Sequence, residues 1–329
     1  MKTSGPKFWL PLLGIITILV AIVASGIGAV FVSPIRVMST VLGLDSGNHV
    51  FILENYRFPR VVLALLVGAG LGVSGAILQG VIRNPLASPD VIGITKGAGL
   101  AAAMIIILIP NSPVFALPLA AFVGAGMVTL FLYIFAYKQG VNPSTLALVG
   151  IAIGAVCQAG IQFLMVKFPV EINAALVWLT GSIWGNDWND VALLAPFIVI
   201  LVPLSIMVAI KLDVLSLGDE VAQGLGESVK RTRILLLCLS VALAGASVAV
   251  VGSLGFIGLI APHIARQLVG NRSKILLPAS ALTGMIIVLL ADALGRGVAP
   301  PVEVPAGIFT AVIGAPYFLY LLRRIKVKG

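Results

Sequence analysis

Residues 235–251 read LLLCLSVALAGASVAVV, a run without a single charge. In hydrocarbon, backbone N–H and C=O groups find no water, so a spanning segment is either a helix or part of a closed barrel. A barrel strand would be about ten residues of alternating polarity. This unbroken apolar run is longer, and it chooses a helix. Comparable stretches recur along the 329 residues, at roughly 8–32, 60–80, 91–109, 114–137, 145–166, 191–210, 255–270, 276–294 and 306–322. With 235–251, read as 233–251, they make about ten. The stretch at 255–270 is short and carries Pro262, which predicts a discontinuous or partly re-entrant helix. The fold class is therefore an all-α polytopic membrane protein in one domain, 1–329.

Composition agrees. The chain is 60% hydrophobic and 10% charged, with a mean hydropathy of +1.14. A soluble domain carries about 25% charged residues. The net charge of +9 fits the cytoplasmic ends of many spans rather than nucleic acid, because no basic cluster is interleaved with aromatics on a soluble module. Cys157 and Cys238 sit in apolar runs, and His49 and His263 are far apart, so no metal or haem constellation and no cofactor is expected. The N-terminal run from Phe8 exceeds a signal peptide's apolar core and reads as a retained first span.

Lysine and arginine set the orientation. With the N-terminus inside, 16 cations fall on the inner side, among them Lys2, Lys7, Lys96, Lys138, Arg323, Arg324, Lys326 and Lys328. Five fall outside: Arg36, Arg57, Arg60, Lys167 and Arg296. That bias predicts cytoplasmic termini. Two long outer loops are expected, at roughly 33–57 and 168–191. The second carries Trp178, Trp184 and Trp188, either an interfacial belt or a docking surface. Gly68, Gly72, Ala76 and Gly80 recur four apart, a small-residue stripe for close helix packing.

Carboxylates narrow the function. Of the 12, only Asp292 is expected inside a span, about a turn from its outer end. A proton-driven carrier keeps titratable groups near the midplane, so a secondary transporter is disfavoured. The phosphate-cradling GxxxxGK[ST] pattern is absent, as are HExxH and GxSxG. The chain has neither an energy source nor a catalytic centre of its own.

It does have one polar island. LGDEVAQGLGESVKRTR, 217–233, holds Asp219, Glu220, Glu227, Lys230, Arg231 and Arg233. Ser216 is expected to cap a short helix with Asp219 and Glu220 in its first turn. Gly224 and Gly226 would then allow a sharp turn before a second short element. Two short helices joined at a glycine turn make a rigid knob. A solvated connector with positive charge at the inner leaflet is the other reading, and the residues alone leave both open.

The chain resembles the permease subunits of ATP-binding-cassette importers for iron chelates and cobalamin. The likeness is carried, from about residue 56 onward, by RFPR (57–60), LLVGAGLGVSGAILQGVIRNPLASPDVIGITKGAG (65–99), LGDEVAQGLG (217–226), GFIGLIAPHIAR (255–266), LLPAS (276–280), LLADALGR (289–296) and VEVPAGIFTAVIGAPYFLYLL (302–322). Residues 1–55 match only in character.

The resemblance implies a ten-helix subunit of the cytoplasmic membrane working as a pair, a homodimer or a heterodimer, with the path between the two. It implies two separate ATPase subunits, an extracytoplasmic binding protein, and a chelated metal as cargo, an iron–siderophore complex before cobalamin or haem. Residues 211–232 would be the cytoplasmic coupling loop, with Asp219, Glu220, Ala222, Gly224, Leu225 and Gly226 meeting the ATPase. Arg57, Arg60 and Arg296 would receive acidic residues of the binding protein; without the resemblance they read as headgroup anchors. Pro143, Ser144 and Thr145 would narrow the inner mouth. Arg83, Asn84, Pro262 and His263 are markers of the family to which only helix breaks and packing can be assigned. The different-class alternative is a lone carrier or exporter of a hydrophobic solute.

Overall fold

The computed structural model describes residues 6–47, 49–137 and 143–326, with side chains between residues 8 and 320. Lys2, Lys138 and Lys328, counted above toward the inner side, lie outside the described residues. The side chains of Lys7, Arg323, Arg324 and Lys326 lie outside them too.

The described residues are helical and contain no strand. In order they form α1 (Pro6–Gly26), α2 (Pro34–Val41), α3 (His49–Ile52), a π-helical turn (Leu53–Arg57), α4 (Phe58–Ile82), α5 (Ile94–Leu108), α6 (Ala116–Tyr137) and α7 (Pro143–Lys167). Then come α8 (Ile172–Leu179), α9 (Trp188–Met207), α10 (Ala209–Ser216), α11 (Asp219–Gly224), α12 (Val229–Val251), α13 (Ile257–Val269), α14 (Ser273–Gly297) and α15 (Ala306–Lys326). Seven helical segments among the described residues are long and apolar enough to cross a membrane: Phe8–Gly26, His49–Ile82, Ala116–Phe135, Pro143–Lys167, Trp188–Met207, Val229–Val251 and Ser273–Gly297. Three shorter apolar helices accompany them, at Ile94–Leu108, Ile257–Val269 and Ala306–Tyr320.

Three local expectations change. Residues 33–57 are not a loop: α2, α3 and the π turn occupy most of them, and the last two run without a break into α4. Residues 168–191 contain α8, and the Trp188 indole donates to the Glu54 carbonyl at 2.8 Å, tying the start of α9 to the π turn. Pro262 does not interrupt α13. Within an established helix it removes one backbone bond, which packing on α4 and α14 absorbs.

The core is arranged around α4, which is buried along nearly its whole length and packed by α14, α12, α13 and α9. Lipid tails are as apolar as leucine, so close packing rather than water exclusion holds such helices together. The small-residue stripe supplies that approach. A Cβ on Gly68 would stand 2.5 Å from the Gly284 carbonyl oxygen, and one on Gly72 would run into the Ser280 carbonyl. Antiparallel α4 and α14 therefore touch backbone to backbone. Elsewhere, α6, α7 and α9 leave large apolar residues exposed, among them Phe135, Val156 and Ile200.

Overpacking a tight core costs about 1–3 kcal/mol where side chains can yield, and more against backbone. Gly72→Leu should therefore abolish the thermal transition of the detergent-solubilised protein. Gly224→Ala, where an added Cβ meets nothing within 4 Å, should leave it unchanged.

Candidate functional site

The polar island folds into a knob at the C-terminal end of α4. Helices α10 and α11 meet at Leu217 and Gly218. Gly218, in an extended positive-φ conformation, occupies the N-cap position of α11 in place of Ser216, whose hydroxyl instead donates to the Asp213 carbonyl at 2.6 Å. Asp219 and Glu220 occupy the first turn of α11, where carboxylates favour the positive helix end. The turn that follows depends on Gly226, at φ +81°. Its N–H reaches the Gln223 carbonyl and the Glu227 N–H reaches that of Ala222, both at 2.9 Å. This paired closure requires a left-handed residue. No separate second helix follows: α12 begins at Val229 and runs unbroken to Val251.

Three acids of this region are spent inside the chain. Asp219 accepts from Arg233 at 2.8 Å and pairs with Arg83, whose Nε also donates to the Leu215 carbonyl at 3.1 Å. Arg83 is the left-handed C-cap of α4, and the Arg233 side chain, on α12, is 1% exposed. Asp213 accepts from the backbone N–H of Ser273, the first residue of α14, at 2.9 Å. Glu227 takes Lys211 at 2.8 Å and the Thr232 hydroxyl. Those two bonds, the lysine's first, hold its carboxyl below the ordinary glutamate range. The knob is thus fastened to α4, α12 and α14 together.

Of the six residues expected at a coupling surface, Glu220, Gly224, Leu225 and Gly226 are exposed, Ala222 is buried beneath them, and Asp219 turns inward. Leu217 and Val221 join Leu225 in an exposed apolar ridge.

At the opposite ends of the spans, Arg57, Arg60 and Arg296 come together but lie buried, at 6%, 9% and 3% exposure. Arg60 bridges Asp292 at 2.9 Å and Glu303 at 2.7 Å. Arg296 pairs with the other Asp292 oxygen at 2.9 Å and donates to the Ile27 and Ala24 carbonyls. Arg57 donates to the carbonyls of Ser25, Gly26 and Val30. These guanidinium groups cap the end of α1 and lock it to α4 and α14. Pro143, Ser144 and Thr145 occupy the first turn of α7, with Ser144 exposed; Val141 and Asn142, just before them, lie outside the described residues.

A third feature is a cavity of about 690 Å³ walled by parts of α5, α7, α13 and α15, with Asp90, Lys96, Gln158 and Phe256 on its lining. Asp90 accepts from the Phe256 N–H at 3.1 Å. That bond holds Phe256 at φ +66°, an uncommon backbone for a bulky residue. From Phe256 to the far end of α13 is about 20 Å at 1.5 Å per residue. That far end adjoins Ser273, which the knob's Asp213 caps. Asp90, through Phe256, is therefore separated from the knob by the length of α13. Asp90 and Lys96 thus share one cavity wall.

A family model described as the FecCD transport family matches residues 15–324. The chain belongs to that family. It is 58% identical over 322 residues to the Fe(3+)-citrate import system permease protein YfmE of Bacillus subtilis, covering 98% of this chain and 96% of that one. It is 46% identical over 279 residues to the Fe(3+) dicitrate transport system permease protein FecD of Escherichia coli, covering 85% and 87%. A solved inward-facing structure of metal-chelate ABC-transporter type superposes with a TM-score of 0.84 at 28% identity, covering 97% of this chain and 99% of that one.

In this FecCD chain the family markers gain physical partners. Arg83 holds Asp219, and the Asn84 side chain accepts from the Leu86 N–H at 2.9 Å. His263 bonds Gln267 at 2.7 Å and meets the Tyr317 ring edge-on. Sequence reasoning missed the clamps, because their residues lie 136 and 14 positions apart in the chain.

Removing one partner of a buried ion pair costs about 3–5 kcal/mol at the upper end. Asp219→Ala should release the knob, seen as faster tryptic cleavage at the exposed Lys230 and Arg231 in the solubilised protein. Glu220→Ala, on the outward face, should leave the cleavage rate unchanged.

Proposed function

We propose that this chain is the membrane-spanning permease subunit of an ATP-binding-cassette importer, and that it passes a ferric citrate-type chelate. The observation that carries the reading is the clamped knob: an exposed apolar ridge with one outward acid, Glu220, tied to three spans of a FecCD-family chain. A rigid contact of that kind lets work done outside the chain move the helices. The 58% identity to a ferric citrate permease over nearly the whole chain supports the cargo assignment ahead of other siderophores, cobalamin or haem.

On this reading the seven long segments and the three shorter apolar helices make ten helices in one domain, 1–329, with both termini and the knob on the cytoplasmic side. The chain pairs with a second permease subunit, a copy or a relative, in the cytoplasmic membrane. Residues 211–232 form the coupling loop for two ATPase subunits, with Glu220, Gly224, Leu225 and Gly226 at the contact and Asp219 and Ala222 supporting it. Pro143, Ser144 and Thr145 stand at the inner mouth. The extracytoplasmic binding protein docks over Arg57, Arg60 and Arg296. Glu303, the most exposed acid of that cluster, adjoins the docking surface, and the arginines fix its shape from below.

The test is growth of a deletion strain under iron starvation with single ferric chelates as the iron source. Loss of growth on ferric citrate, restored by the gene, is expected. Normal growth on ferric citrate with loss on another chelate would overturn the cargo assignment. In the complemented strain, Glu220→Arg and Gly224→Pro should abolish uptake at normal membrane levels of the protein. The purified complex should carry a nucleotide-binding subunit, which a lone carrier would lack.

A further inference from the structure

We propose that Lys96 reads the charge of the cargo within the membrane, favouring an anionic, carboxylate-bearing ferric chelate over a neutral one. The inference rests on the importer reading above and adds a selectivity element inside the permease itself.

Lys96 sits in the first turn of α5, half-buried, on the wall of the 690 Å³ cavity. Its ammonium makes no hydrogen bond and no ion pair within 4 Å among the described residues. Asp90, its electrostatic neighbour, is differently placed. That carboxylate accepts from the Phe256 N–H at 3.1 Å. The negative group is therefore committed to holding the backbone before α13, while all three ammonium donors remain unspent.

The rest of the wall is mostly small or apolar, with Gly99, Ile161, Met165, Leu179 and Leu259 among its residues. On the importer reading this cavity lies among the spans, where a charge is costly and is kept for a task. Cavities of about 300–1,000 Å³ take small-molecule ligands, held by a few placed polar groups in an otherwise apolar lining. Ferric citrate complexes carry net negative charge and uncoordinated carboxylate oxygens. A ferric tris-hydroxamate core is neutral, since three hydroxamate anions cancel the metal charge. An ammonium with free donors discriminates between these two classes, whereas apolar walls do not.

The experiment uses the whole complex in proteoliposomes: this chain, its permease partner, the ATPase subunits and loaded binding protein, with radio-iron-labelled ferric citrate as probe. At saturating loaded binding protein, Lys96→Gln should lower the transport rate about tenfold, equivalent to about 1.4 kcal/mol. Lys96→Glu should lower it further, and Lys96→Arg should retain most of it. ATP hydrolysis stimulated by the binding protein should stay near the wild-type rate in all three. Wild-type transport by Lys96→Gln would overturn the proposal. Equal losses in the Gln and Arg variants, with ATP hydrolysis lost as well, would make Lys96 a packing residue and overturn it too. A wild-type complex that moves a neutral ferric tris-hydroxamate faster than ferric citrate would defeat the charge assignment while leaving the importer reading intact. Failure of the wild-type chain to assemble with any ATPase subunit would instead sink the importer reading and this inference with it.

Discussion

The contact of α4 with α14, closed by Gly68 and Gly72 against the backbone of Gly284 and Ser280, is the constraint on which the other features depend. With the two backbones touching, neither helix can slide without displacing the other. The C-terminal end of α4 presents Arg83 to the knob, and its N-terminal end presents Arg60 to Asp292 on α14. A looser seam would move both ends out of reach. One small-residue face thus fixes the geometry of two charged clusters at opposite ends of the same helix.

Charge is used sparingly and for attachment. Asp219 engages two arginines, Asp213 caps α14, and Asp292 is shared between Arg60 and Arg296. A buried arginine needs such a partner, because the desolvation of an unpaired charge outweighs most packing gains. The result is a knob fastened to α4, α12 and α14. Work applied at Glu220 and the Leu217–Val221–Leu225 ridge would pass into the bundle through ion pairs rather than through a flexible linker. Lys96 is the exception among these charges: its ammonium faces a cavity, and the nearby carboxylate accepts from the Phe256 N–H.

Much of this was legible beforehand. Each of the ten apolar stretches contains a helix, because hydropathy and the absence of water leave the backbone no alternative. The stripe at Gly68 and Gly72 could be read from its spacing, and the knob from its charges and glycines. The features that the sequence did not reveal share a cause. Asn84, Pro85, Pro89 and Asp90 are turn formers, and nothing local shows that Asp90 meets the Phe256 N–H, 166 positions along the chain. Arg57, Arg60 and Arg296 read as outward cations because nothing local reveals that the carbonyls at the end of α1 lie within their reach.

The sequence by itself determined the all-helical membrane character, the positions of the long apolar helices, the place of the polar island and the family. These follow from local composition and from motifs continuous in the chain. Only the tertiary structure decided which charges face inward, that Asp219 joins Arg83 to Arg233, and that Lys96 lines a cavity with Asp90. Those facts depend on residues far apart in the chain being brought within about 3 Å, the reach of a hydrogen bond. Helix packing sets that distance, and no local pattern records it.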